Sequence, residues 1–210
     1  MDRRRAAAAI LLLSASFGAG ETAIHLAVRY FHRKSIDPSR PPADVPFPLR
    51  VQNYWGGSCY HASTQVALRW ADKAEIATNW RNNYGGAAST SDIAKVLKRY
   101  GIPYKATRLV GNGQESADVS ILNYAHDHRL VAAIHFFHYH AISFLGWVRK
   151  DGREMACLLD NNRTKNFIFI EKAEFLRRWR GYGGGAIVPL VEAPPPVPYD
   201  PNDYLENPEP

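Results

Sequence analysis

The 210-residue sequence predicts an α+β fold, with helices in its first half and strands in its second. Three observations predict it. Apolar residues recur at helical spacing as far as about His128. From Leu130 the pattern changes to short runs dominated by Val, Ile and Phe. Turn signals separate the runs, Gly101 after a helix and Asp151-Gly152 between two strands.

The first helix is expected at Cys59 to Ala74, where Ala62, Val66, Leu68 and Trp70 follow the tight polar turn Gly56-Gly57-Ser58. Others are expected at Ser91 to Tyr100 and at about Ser116 to His128, with the extended stretch IPYKATRLV between them. The strands read LVAAIHFF, HAISFLGWV, EMACLLD, FIFIE and GGAIVPLV. Only EKAEFLRRW interrupts them with helical spacing, its Trp179 turned inward and the basic run from Arg177 to Arg180 forming a solvated helix end. Gly183 to Gly185 precede the last strand and read as a turn. The helical half packed on the strand half gives two layers, and the cleft between them is where residues from the two halves can meet.

Composition places this fold within the chain. At 46% hydrophobic and 12% aromatic residues it can bury one good core. Five prolines lie between Pro38 and Pro48 and eight from Pro189 onward, with Pro103 alone between them. That distribution marks a stiff Pro-rich linker over 34–44, a globular unit over 45–190 and an extended acidic, Pro-rich disordered tail over 191–210. The tail holds five acidic residues and no Lys or Arg, so the preceding residues carry more than the overall +6. Their positive charges are scattered, apart from Arg3 to Arg5 and the run at Arg177 to Arg180, which argues against nucleic acid as a partner.

Residues 1–33 read as a signal peptide or membrane anchor. Arg3, Arg4 and Arg5 precede the apolar stretch AAAAILLLSASFGAG, which is shorter than the about 20 residues that span a bilayer. The following ETAIHLAVRYF can lengthen it to a tilted anchor, although Glu21 and His25 make that costly. Either route implies export, to the periplasm, the outside of the cell or a membrane surface.

The chemistry centres on Cys59. A thiol in the first turn of a helix faces unpaired backbone N–H groups and the positive end of the helix dipole, a setting that favours thiolate. Gln52, upstream of it, carries an amide able to donate to an oxyanion. His140 opens the apolar run HAISFLGW, so a strand holds it rigid at the edge of a cleft. One hairpin further on, the strand MACLLDNN ends in Asp160, Asn161 and Asn162, any of which can accept from the second imidazole nitrogen. Cys157 alternates within that strand and reads as core, with no disulfide to Cys59. His135 and His138 precede His140, and His126 and His128 lie nearby, yet strand alternation puts His135 on the opposite side from His138 and His140. No metal site is expected, and His126 and His128 are expected to be solvated at a helix end.

GGSCYHAS resembles the active-site turn and helix of papain-like cysteine peptidases, with Gln52 in the place of their oxyanion glutamine. HAISFLGW resembles their histidine strand, and LLDNN the strand end that carries their asparagine or aspartate. The 81 positions from Cys59 to His140 are most similar to the compact bacterial members that cleave after a double glycine. The resemblance covers about Val51 to Leu190 and implies a papain-like fold, the helical half packed on an antiparallel sheet. It also implies peptide hydrolysis through Cys59, His140 and Asp160, since the compact members use an aspartate as third residue. Trp55, Gly57 and Tyr60, beside the nucleophile, are expected to line a cleft that accepts small residues before the cut. No cofactor is implied, and the partner is a peptide or protein substrate. Two departures stand out: Asn162 and Arg163 follow where papain carries a serine and a tryptophan, and the gap from Gln52 to Cys59 is one residue longer than in papain. A transglutaminase-like acyltransferase and a catalytically silent binding module on the same scaffold are the alternatives.

Overall fold

The helix that begins at Cys59, α1 (Cys59–Trp70), is the structural centre, and every residue in it except Arg69 is buried. A helix apolar or buried on all sides belongs inside a domain rather than on its surface. The computed structural model describes residues 39–54, 56–110, 114–137 and 139–195. The expected signal or anchor over 1–33, most of the linker and the tail from 196 onward lie outside the described residues, as do Trp55 and His138.

α1 ends four residues earlier than its sequence pattern suggests. Asp72 takes a left-handed φ of 56°, which breaks the helix, and α2 (Ala74–Asn83) starts at once. The second helix escaped the periodicity reading because it buries only Ala77 and Trp80. α3 (Thr90–Arg99) begins at a capping box, in which the Ser89 side chain accepts from the Asp92 N–H while the Asp92 carboxylate accepts from the Ser89 N–H. The extended stretch after Gly101 becomes β1 (Tyr104–Ala106), followed by a small hairpin of β2 (Leu109–Val110) and β3 (Gln114–Glu115). α4 (Ser120–Asp127) then leads into the strand-rich half.

That half comprises β4 (Ala132–His135), β5 (Ala141–Lys150), β6 (Arg153–Leu159), β7 (Phe167–Glu171), α5 (Lys172–Gly181) and β8 (Ala186–Pro189). The main sheet has six strands in the order β1-β8-β4-β5-β6-β7, and every pairing is antiparallel. Asp151 and Gly152, with φ of 51° and 75°, make the tight turn between β5 and β6. Gly183 and Gly184 also take positive φ, and a Cβ on Gly184 would lie 2.2 Å from that of Ala117, so the triple glycine is a packed turn.

Alternation along the strands divides the core. Ala133, Ala141 and Ile187 pack with α1, α2 and α3, whereas Ala132, Ile134, Ile142 and Phe144 pack with α4 and α5. The sheet is therefore covered on both faces, and α4 with the Trp179-bearing α5 adds a third layer to the two expected. The unit also starts earlier than Val45. It spans Pro38–Pro194 because Ala43, fully buried, donates its N–H to the Leu145 carbonyl at 3.2 Å. This crossing coincides with a bulge in β5 at Gly146, where a Cβ would come within 2.5 Å of Pro42 Cδ.

Among the described residues no helix is long and apolar enough to cross a membrane.

Candidate active site

The turn before α1 is built to leave the helix end open. Gly57 takes a φ of 87°, and a Cβ there would press on the Ala87 backbone N at 3.1 Å. Ser58 occupies the N-cap position, yet its side chain caps nothing in the helix and instead accepts the N–H of Gly86 at 2.8 Å. The first-turn N–H groups therefore remain directed at whatever lies beside Cys59. The Cys59 sulfur accepts the Ala141 N–H at 3.3 Å and lies 4.0 Å from the Tyr139 carbonyl oxygen, so it sits at the junction of α1 and the start of β5.

His140 immediately precedes β5, and Asp160 immediately follows β6. Because β5 and β6 are antiparallel neighbours with Ser143 opposite Leu159, these two positions emerge at the same end of the sheet. His140 Nε2 and Asp160 Oδ1 are 2.9 Å apart, and both side chains are largely covered. Asp160 Oδ1 also accepts the Asn162 N–H at 2.9 Å, which fixes the carboxylate. With Nε2 engaged by Asp160, Nδ1 is left for the thiol.

Electrostatics follow from this geometry. Burial alone would raise the Cys59 pKa, but the hydrogen bond from His140, the Ala141 N–H, the imidazolium charge and the Tyr60 N–H together outweigh it and hold the thiol below its ordinary value. The Asp160 hydrogen bond, with a further contribution from Cys59, pushes His140 up to about 9. Burial opposes ionisation of Asp160 as well, and His140 and the Asn162 N–H overcome it and lower the carboxyl. All three shifts favour one charge arrangement, thiolate, imidazolium and carboxylate.

Asn161 plays a different part from its neighbour. It is buried, and its Nδ2 lies 2.9 Å from the Cys59 carbonyl, 2.9 Å from Ser63 Oγ and 2.8 Å from the Ala141 carbonyl. A single amide thus ties the nucleophile helix to the histidine strand, while Asp160 faces the imidazole.

Gln52 is exposed on the irregular segment after Val51, and the next residue, Asn53, is half-buried. Asn53 donates its N–H to the Asn161 carbonyl at 2.8 Å and its Nδ2 to Asn162 Oδ1 at 3.1 Å; the Asn162 amide lies in turn 3.4 Å from His140 Nε2. Asn53, six residues before Cys59, is therefore a second amide that borders the Asp160–Asn162 turn. Gly57 remains exposed beside the thiol. Tyr60 is not a cleft wall: it is 1% exposed, its ring packs on His135 with centroids 4.5 Å apart, and its hydroxyl pairs with Thr90 Oγ1 at 2.9 Å. The Tyr60 pairing reflects α1 itself, which turns its second residue into the core.

The remaining expectations sort by burial. Cys157 is fully buried, both cysteines are free, and desolvation pushes the Cys157 pKa strongly upward. His126 is not solvated at a helix end; its Nδ1 accepts the Trp147 N–H at 3.1 Å beside the β5 bulge. His135 packs on Tyr60.

The α+β architecture, with a helix N-terminus bearing a thiol set against an antiparallel sheet, matches a crystal structure described as that of a "putative C39-like peptidase from Bacillus anthracis", with a TM-score of 0.51 and 13% sequence identity, over 74% of this chain and 98% of that one. No family model and no curated protein matches the sequence.

Proposed function

We propose that this chain is a cysteine peptidase that hydrolyses peptide bonds through Cys59, His140 and Asp160. The observation that carries the reading is the His140–Asp160 contact of 2.9 Å beside a thiol held below its ordinary pKa. The Cys59 thiolate adds to the peptide carbonyl carbon. The N–H of Cys59, at the open end of α1, and a side-chain amide of the segment before the turn, Gln52 or Asn53, stabilise the oxyanion that forms. His140 then gives its Nδ1 proton to the leaving nitrogen as the C–N bond breaks, leaving a thioester. Neutral imidazole next takes a proton from water, whose oxygen attacks the thioester. Collapse of that second intermediate expels the thiolate and releases the acid. Asp160 holds the imidazole by Nε2 throughout and stays ionised.

Cys59 is only 6% exposed, which supports a narrow approach and small residues directly before the cut. The test is incubation of wild type and Cys59→Ala with a randomised peptide library, alongside labelling with a thiol-reactive peptide electrophile. Cys59-dependent hydrolysis and stoichiometric labelling at Cys59 are the expected results. Products that appear only when an amine is supplied would instead indicate acyl transfer, and equal cleavage by both proteins would remove Cys59 from the chemistry.

A further inference from the structure

His61 follows the nucleophile by two residues on α1, and at about 100° per residue the two side chains project from nearly opposite sides of the helix. It is 5% exposed, and its Nδ1 lies 3.0 Å from the Trp80 indole nitrogen. An indole N–H can only donate, so Nδ1 accepts and the neutral ring carries its proton on Nε2. Burial keeps the ring neutral by pushing its pKa down. Nε2 takes part in no hydrogen bond among the described residues. A buried donor without an acceptor is costly to leave unmatched, so this N–H points to a ligand.

The ring lines an open cavity of about 310 Å³, large enough for a small molecule. One wall is a face of α3, where Asp92, Lys95, Val96 and Arg99 are spaced three and four residues apart. Tyr84, Ala87 and Ala88, after the end of α2, supply another. Lys95 Nζ pairs with Asp92 Oδ1 at 3.0 Å, so these two charges offset each other. Arg99 makes no ion pair among the described residues, and its Nη1 lies 3.5 Å from the Tyr84 hydroxyl. The cavity therefore combines one unneutralised positive charge, one unpartnered N–H and the apolar surface of Val96, Ala87 and Ala88.

We propose that this cavity binds a small organic carboxylate, one oxygen accepting from His61 Nε2–H and the charge meeting the Arg99 guanidinium. Three features set the class. The Nε2–H requires an acceptor, a single negative charge balances Arg99, and the apolar wall favours a ligand with a carbon body over an inorganic ion. Such a carboxylate comes from a free organic acid or from the C-terminus of a short peptide. The site lies across α1 from the thiol and does not depend on the peptidase reading.

The test is calorimetric titration of the full-length protein with benzoate, N-acetylglycine, the amides of both, and inorganic phosphate. Both acids are expected to bind, each at least about tenfold more tightly than its amide. The tighter acid identifies the source, benzoate a free acid and N-acetylglycine a peptide C-terminus. His61→Asn keeps an oxygen near the place of Nδ1 to accept from Trp80 and removes the Nε2 donor. Arg99→Gln changes an exposed residue and decides the question alone if His61→Asn does not fold. Each variant should lose about tenfold in affinity for the acids and none for the amides. Cys59→Ala should bind the acids as wild type does, and loss of binding there would place them at the thiol and overturn the site. No binding of either acid, equal affinity for acids and amides, tighter binding of phosphate than of both acids, or full affinity in Arg99→Gln would overturn it too. Carboxylate binding that depends on Arg99 in a protein that cleaves no peptide would keep the site and remove the peptidase reading.

Discussion

The Asn161 amide donates to the carbonyl of Cys59 at 2.9 Å, so the residue next to the proposed triad aspartate holds the nucleophile's own backbone. The same nitrogen reaches Ser63 and the Ala141 carbonyl, all within the core. Asn161→Ala would remove three buried contacts at once, leaving Ser63 Oγ and the Ala141 carbonyl only their mutual bond of 3.4 Å, and should cost about 1–3 kcal/mol. Asn161→Asp would turn a carboxylate toward those carbonyls and should be worse. Asp160→Asn keeps the side chain's shape and an oxygen to accept the Asn162 N–H, so it should cost less stability while slowing turnover. Urea denaturation of the three variants checks the order. An Asn161→Ala protein as stable as wild type would show that the brace carries no energy.

Rate against pH should follow the direction of the shifts. Since Cys59 lies below the ordinary thiol value, labelling by iodoacetamide should remain fast at neutral pH. Hydrolysis also needs protonated His140, so kcat/KM should fall on the alkaline side near its pKa of about 9 and on the acid side as the thiolate is protonated. In His140→Ala the burial that opposes thiolate remains while the imidazolium is gone. The Cys59 titration should then move up, and labelling at pH 7 should slow by about tenfold or more. An unchanged labelling profile would mean that His140 does not act on the thiol.

Much of the architecture could be read from the sequence where local pattern and tertiary packing agree. The strands from Ala132 to Pro189 did so because Val, Ile and Phe runs were separated by real turns such as Asp151-Gly152. α2 did not, since its two buried residues leave almost no periodic signal. The segment before Val45 read as linker for its prolines, but Ala43 is buried in the sheet through a contact that no local rule anticipates. Within the site, Cys59, His140 and Asp160 converge as their order along the chain suggests. Gln52 is exposed, and it is the neighbouring Asn53 whose amide bonds to Asn162 beside the triad aspartate. Tyr60 lies in the core rather than the cleft because proximity in sequence to a nucleophile on a buried helix does not decide which way the next side chain faces.

The two amides before the turn can be separated by kinetics. Asn53→Ala should lower kcat by about 100 to 1,000-fold if its amide serves the oxyanion, whereas Gln52→Ala should leave kcat near wild type. Labelling of Cys59 by a small alkylating agent forms no oxyanion and should be nearly unaffected in both. A large kcat loss in Gln52→Ala with Asn53→Ala active would restore Gln52 to the role.

A chain that begins at Val45 should be markedly less stable than one that begins at Ser39. The shorter chain lacks the Ala43 N–H to Leu145 bond and the Arg40–Asp44 ion pair at 2.6 Å. It also uncovers Gly146, where a Cβ would come within 2.5 Å of Pro42 Cδ. Losing a buried alanine, a proline contact and one backbone hydrogen bond should cost about 2–3 kcal/mol in total. Thermal unfolding of the two chains measures the difference directly. Equal midpoints would mean that residues 39–44 rest on the sheet without stabilising it, and that the folded unit begins at Val45 after all.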